Sequence, residues 1–311
     1  MSENIYDVII IGGGPAGLTS AVYTSREMFS TLLLEKDICG GLPAGTDLIE
    51  NYPGFSEGVN GAELISKFKK QAERFGAEIL EFTEVRRIES VDGKIKVQTD
   101  KETYLGYSLI TASGSIPKEL GVPGEKEFKG RGVSYCATCD GPLYKNKDVA
   151  VIGCGNSGLQ EGETLLKYVK SITFIEFLSY MNAEKILQER LKKNSNAEFL
   201  LNHRLVAVNG DSNVNSVTVE DRKTGEKKKV DVSGVFVYVG FLPNSGFLEG
   251  LVDFDRSGYI KTNDDMRTKT AGVYAVGDVR SKKVRQIDVA CGEATIAAVS
   301  VRDYLKDIKR S

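Results

Sequence analysis

What is scarce in this sequence narrows its chemistry before any motif is read. One histidine (His203) and a single Cys-x-x-Cys cannot assemble the four ligands a structural zinc requires, so the metal reading is set aside. Five cysteines, an odd number, in a chain of 311 residues argue against a framework of structural disulfides. Seven prolines beside 33 glycines and 41% hydrophobic residues describe a compact α/β protein rather than a disordered or fibrous one. Lys and Arg number 41 against 43 acids, a net charge of −2 with no basic block, which gives no support to a nucleic-acid or polybasic membrane partner. No apolar run approaches the roughly 18 to 20 residues of a transmembrane helix, and Met1–Asp7 carries no basic leader, so a cytoplasmic protein is expected. The length suits two domains, each with its own core.

The abundant residue is glycine, and its placement is informative. Val8-Ile9-Ile10-Ile11 is a β-branched run suited to a strand buried on both faces, and it leads into Gly12-Gly13-Gly14-Pro15-Ala16-Gly17. Gly12 permits the tight turn, Gly14 lets a pyrophosphate approach the backbone, and Gly17 lets the next helix, Leu18 to about Glu27, pack on the strand. A second strand ends at Glu35, 23 residues after Gly12, where an acid accepts hydrogen bonds from a ribose. The pattern repeats. Val149-Ala150-Val151-Ile152 leads into Gly153-Cys154-Gly155-Asn156-Ser157-Gly158, and the following strand ends at Glu176, again 23 residues on. Residues 62 to 76 show helical apolar spacing, 78 to 99 read as strand, and 198 to 239 as hairpins. The charged stretch Gly121–Lys126 reads as a domain crossing, and Gly240–Asn244 as the return. Val273–Asp278 is a buried strand ending in an acid suited to the polyol of a cofactor, followed by a helix from Gly292 to Leu305.

Between the two glycine units lies Cys136-Ala137-Thr138-Cys139-Asp140. With zinc set aside, the pair is read as a redox dithiol, because thiolates perform disulfide exchange and Asp140 supplies the proton that such exchange moves. Cys39, Cys154 and Cys291 are expected to be small buried hydrophobes, and His203 structural.

Taken together, Gly12–Gly17, Glu50-Asn51-Tyr52-Pro53-Gly54, Cys136–Gly141, Gly277-Asp278-Val279 and Arg285-Gln286-Ile287 resemble the low-molecular-weight, flavin-dependent thioredoxin reductases over essentially the whole chain. The resemblance implies an α/β fold of two Rossmann-like, three-layer (ββα) dinucleotide-binding domains. An FAD domain would be made of residues 1–117 and 244–311, with an inserted NAD(P)H-like domain, 118–243, carrying the dithiol. It further implies a homodimer, FAD as cofactor and thioredoxin as substrate. By the same resemblance Cys139 takes electrons from the flavin, Cys136 attacks the thioredoxin disulfide and Asp140 protonates the leaving thiolate. The implied FAD contacts are Gly12, Gly14, Pro15, Ala16, Gly17, Glu35, Lys36, Gly40, Gly41, Asn51, Val85, Ala112, Gly114, Gly277, Asp278, Arg285, Gln286 and Ile287. Leu42 stands where many members have glutamine.

One departure bears on the electron donor. Members that use NADPH hold its 2′-phosphate with His-Arg-Arg and a later arginine, and the corresponding residues here are Glu176, Phe177, Leu178 and Asn182. The chain therefore resembles the pyridine-nucleotide-independent branch, and reduced ferredoxin is the expected donor, with Tyr180 and Met181 filling the nucleotide site. The acid at Glu176 keeps NADH open as an alternative, and a flavin-bound redox sensor is the non-enzyme alternative.

Overall fold

The computed structural model describes residues 5–310; Met1–Asn4, on which part of the leader reading rests, lie outside the described residues. In chain order the elements are β1 (Ile5–Ile11), α1 (Pro15–Arg26), β2 (Thr31–Leu34), α2 (Gly61–Arg74), β3 (Glu78–Leu80), β4 (Val85–Val91), β5 (Lys94–Thr99), β6 (Thr103–Thr111) and β7 (Ser115–Pro117). There follow β8 (Val133–Ser134), α3 (Ala137–Asp140), β9 (Asp148–Ile152), α4 (Asn156–Leu165), β10 (Ser171–Glu176), α5 (Lys185–Lys192), β11 (Ala197–Leu201), β12 (His203–Gly210), β13 (Val214–Asp221), β14 (Lys227–Asp231) and β15 (Gly234–Val237). The chain closes with β16 (Phe241–Pro243), β17 (Val273–Ala275) and α6 (Ile287–Arg310). The polypeptide divides into two compact units, Met1–Ile116 with Leu242–Ser311, and Pro117–Phe241.

In the first unit the β-branched run of β1 is buried on both faces because it lies between β2 and β6, parallel to each. The sheet order is β3-β2-β1-β6-β5-β4. The first half of β6 pairs antiparallel with β5 (Ile95 opposite Gly106), and its last residues pair parallel with β17 (Val273 opposite Leu109). Alternation along β1 then fixes the layers. Val8 and Ile10 pack with Leu18 and Ala21 of α1 and Ala297 and Val301 of α6, while Ile9 and Ile11 pack with Ile88, Ile95 and Val97 of the β4–β5 hairpin. Sheet, hairpin layer and helices make three layers.

The second unit repeats this logic. Its parallel sheet has the order β11-β10-β9-β15-β8. Val149 and Val151 face Leu159 and Leu165 of α4, and Ala150 and Ile152 face Val217 and Val219 of the antiparallel sheet β12-β13-β14. The chain thus has two dinucleotide-binding units, the second inserted into the first.

Several expectations change. Helix α1 begins at Pro15, whose missing N–H costs nothing at the first helical position, and α6 begins at Ile287 rather than Gly292. Residues 78 to 99 form three strands, and 197 to 237 split between the parallel sheet and the antiparallel one. Gly121–Lys126 is not a linker. Glu125 is 1% exposed, accepting the amides of Leu120 (2.9 Å) and Gly121 (2.6 Å) and the Tyr135 hydroxyl (2.8 Å), so it ties this charged, otherwise largely exposed stretch to the second unit. The division falls between Ile116 and Pro117 and between Phe241 and Leu242.

Candidate active site and cofactor cradle

In the first unit the C-terminal ends of β1, β2, β6 and β17 converge on a floor of glycine. Gly12 has φ +105°, and a side chain there would run into the Ala112 carbonyl. Gly17 backs onto the Gly12 carbonyl, which lets α1 start directly against the strand. Above Gly14 only the Gly41 Cα comes within 4 Å of where a side chain would stand, so two glycines leave the backbone open from above. Gly14 caps α1 with no side chain of its own, so the first amides of a 12-residue helix are offered to a ligand. Glu35 accepts the Gly13 amide (2.6 Å) on Oε2 and the Asp37 amide (3.0 Å) on Oε1, which orients the carboxylate and leaves each oxygen a second lone pair for a ribose. Gly40 donates to the Gly13 carbonyl at 3.0 Å, and Gly277 packs on Ala16.

The remaining sequence-derived contacts lie at varying distances from this floor. Asn51 donates to Gln286 Oε1 at 3.2 Å, joining the Glu50–Ser56 loop, which lines a cavity of about 530 Å³, to the residue before α6. Ile287 opens α6, and Arg285 lies over the Tyr259 ring at 4.0 Å. Gly114 has open space above it. Lys36 is exposed and paired with Asp37, Val85 opens β4 against the second core cluster, and Leu42 sits in a short turn at 41% exposure. Burial pushes the Asp278 carboxyl up, opposed by Lys282 and Arg285. One functional arrangement has no local sequence signal. Glu293 of α6, 6% exposed, accepts the Gly277 amide (2.8 Å) and pairs with Lys282 (3.1 Å) and Arg280 (3.4 Å), holding the Gly277-Asp278 turn from behind. An open glycine floor, an uncapped helix N-terminus, an oriented carboxylate and a second acid on a braced turn fit a flavin dinucleotide.

In the second unit Cys136 and Cys139 form a disulfide, with their Cα atoms 5.4 Å apart. Cys136 caps the single turn of α3, and its Sγ accepts the Cys139 amide at 3.2 Å. Such a contact stabilises a thiolate on Cys136 once the pair is reduced. Asp140 closes the same turn, its Oδ2 accepting the Ser134 hydroxyl at 2.6 Å. Cys39 and Cys154 are buried, and burial pushes each thiol up to about 12. His203 Nδ1 lies 2.7 Å from the Leu201 carbonyl, a structural contact. No cluster of three metal-ligating side chains occurs among the described residues.

The second glycine unit is built like the first, with its acid held in the same way but more deeply buried. Glu176 is 8% exposed, with Oε2 accepting the Cys154 amide (2.6 Å) and Oε1 the Leu178 amide (2.8 Å). Tyr180 does not fill this place, being 58% exposed, whereas Met181 packs into the core beneath α4 and α5. A cation does reach the end of β10, and sequence reading missed it. Arg222, from the turn after β13, lies over the Phe177 ring at 3.6 Å and donates to the Phe177 carbonyl at 2.8 Å.

The model of the pyridine nucleotide-disulphide oxidoreductases matches residues 6–294. The chain belongs to this family. It is 43% identical to the thioredoxin reductase of Bacillus subtilis over 312 aligned positions, covering 99% of this chain and 98% of that protein. The crystal structure of Lactococcus lactis thioredoxin reductase superposes with a TM-score of 0.95 at 38% identity, covering 97% of this chain and 99% of that one. The crystal structure of T. acidophilum thioredoxin reductase gives 0.93 at 40% identity, covering 98% of this chain and 100% of that one. The protein is therefore a flavin oxidoreductase of two dinucleotide-binding domains, and its cofactor is FAD. These likenesses carry thioredoxin reductase as such; the expected placement in the ferredoxin-dependent branch gains nothing from them.

Proposed function

We propose that this protein reduces the disulfide of a thioredoxin through Cys136 and Cys139, drawing its electrons from reduced ferredoxin rather than from NADPH. The thioredoxin half is supported by the redox pair with its acid, Cys136–Asp140, in a chain similar throughout to thioredoxin reductases. FAD, held by the Gly12–Gly17 floor, Glu35, the Gly277-Asp278 turn and the residues around Gln286, supplies a centre that can take electrons singly and deliver them in pairs. The chain's own residues do the rest. With the pair reduced, Cys136 Sγ attacks one sulfur of the thioredoxin disulfide, forming a mixed disulfide and releasing one thiolate, which takes a proton from Asp140. Cys139 Sγ then attacks Cys136 Sγ, closing the internal disulfide and freeing the second thioredoxin thiol. Two electrons and two protons pass to thioredoxin in each cycle.

The observation that carries the donor reading is the chain following β10, where Phe177, Leu178 and Asn182 supply no cation for a 2′-phosphate and Arg222, which does reach the end of β10, is turned onto Phe177. NADH remains the second reading, because the acid and the glycine turn before α4 are both retained. We further infer a homodimer working in the cytoplasm, with residues 1–117 and 244–311 holding FAD and 118–243 carrying the dithiol. The test is anaerobic turnover: holoprotein, thioredoxin and a reduced ferredoxin are mixed and thioredoxin thiols counted. Accumulating thiols are expected; none from any thioredoxin, with the flavin fully reduced, would remove the reading.

A further inference from the structure

Ser134 ends the short strand β8, whose register with β15 (Phe236 opposite Ser134) fixes it in the second unit's sheet, and it is 5% exposed. Its hydroxyl meets three groups. It receives the Cys136 amide at 3.1 Å, and it can donate either to Asp140 Oδ2 at 2.6 Å or to the Cys136 carbonyl at 3.3 Å. A serine has one proton, and the shorter contact falls in the range of an O–H donating to a carboxylate, where such bonds are strongest. Oδ2 is therefore engaged as an acceptor, and a proton on Asp140 belongs on Oδ1. We propose that Ser134 is a positioning residue that fixes the Asp140 carboxyl so that Oδ1 alone carries the proton delivered to the leaving thiolate. The inference rests on Asp140 as the acid. In the step concerned, the bond between Cys136 Sγ and the attacked sulfur forms, the substrate S–S bond breaks with its electron pair on the leaving sulfur, and the Oδ1 proton passes to that sulfur. Ser134 exchanges no atom, and its hydroxyl holds Oδ2 throughout.

A merely structural serine and a positioning serine differ in how the loss depends on the leaving group. A nitroaromatic thiolate is stable unprotonated, whereas an alkyl thiolate gains from a proton in the transition state. Reduced holoprotein is therefore mixed anaerobically, in single turnover, with a nitroaromatic disulfide and with an alkyl disulfide, and the ratio of alkyl to aromatic rate is measured. Asp140→Asn should lower that ratio by about a hundredfold, the common scale of general-acid assistance. Ser134→Ala should lower it by about tenfold, the scale of one charge-assisted hydrogen bond, with Ser134→Thr recovering most of it. The double variant should be no worse than Asp140→Asn alone. An unchanged ratio in Ser134→Ala, or equal losses on both disulfides, would overturn the inference while leaving Asp140 in place. An unchanged ratio in Asp140→Asn would instead remove the acid itself.

Discussion

The redox pair differs from Cys39 and Cys154 in what governs thiol reactivity, while Cys291, expected to be buried, is only half-buried and accepts the Thr19 hydroxyl at 3.3 Å. Cys136 receives a backbone amide on its sulfur and Cys139 is exposed, whereas Cys39 and Cys154 are packed in cores beside the acids Glu81 and Glu176 and hold their protons to about pH 12. After mild reduction at pH 8, an alkylating agent should modify Cys136 and Cys139 in the native protein and reach Cys39 and Cys154 only on unfolding, as peptide mapping would read. The same burial gives an alkaline limit. A thiol at about 12 when folded and 9.0 when unfolded binds more proton in the native state between those values, so stability falls as pH rises from about 9 towards 12. Denaturant midpoints taken across that window should fall, and fall less in Cys39→Ser. For the reactive pair, Cys136→Ser should abolish thioredoxin reduction, and Cys139→Ser should leave a mixed disulfide through Cys136 that gel electrophoresis without reductant detects. Normal turnover in either variant would reverse the assignment. The chemistry of this pair was legible in five consecutive residues; the Ser134 contact was not, because nothing in a sequence says which oxygen a serine six residues away will face.

Among the elements, the two strand–glycine–helix–acid units were readable because each is local. A β-branched run, a turn that only glycine fits and an acid at a fixed spacing all lie within some 30 residues. Part of what escaped reading joins residues far apart in the chain. Arg222 meets Phe177 across 45 positions, and Glu293 meets Gly277 across 16 on the opposite side of a turn. Glu125, in a stretch whose charge suggested a linker, is the interior acid that gathers two amides and a tyrosine. The Glu293 cluster carries its own prediction. Lys282 and Glu293 side chains are 6% and 7% exposed, so Glu293→Ala would strip the buried Lys282 of its nearer carboxylate and leave it only Asp278 at 3.6 Å, a change that costs up to about 3 kcal/mol. It should lower the unfolding free energy by that order and loosen FAD, seen as flavin lost on gel filtration. Glu293→Gln, which can still accept the Gly277 amide, should retain more flavin than the alanine variant. Equal retention in both would place the cluster outside the support of the cofactor turn.

At the scale of the whole molecule the question is which way electrons enter. A ferredoxin near about −400 mV and a thioredoxin near about −270 mV differ by about 130 mV, or about 6 kcal/mol over two electrons, so the transfer runs downhill with no nucleotide involved. Ferredoxin gives electrons one at a time and a disulfide needs two, which is the mismatch a flavin protein resolves. A nucleotide donor would share Glu176 with two backbone amides, as a flavin ribose would share Glu35, but NADPH would also bring a 2′-phosphate towards that carboxylate with no cation from Phe177, Leu178 or Asn182 to meet it. Oxidised holoprotein mixed anaerobically with NADPH should therefore keep its flavin absorbance for minutes, while reduced ferredoxin should bleach it rapidly. NADH is the discriminating arm, since its free 2′-hydroxyl could donate to Glu176. Slow or absent bleaching at micromolar NADH agrees with a glycine unit that no longer takes a nucleotide. Rapid bleaching there, lost in Glu176→Ala, would mean that the second glycine unit still binds its nucleotide and that ferredoxin is not the donor.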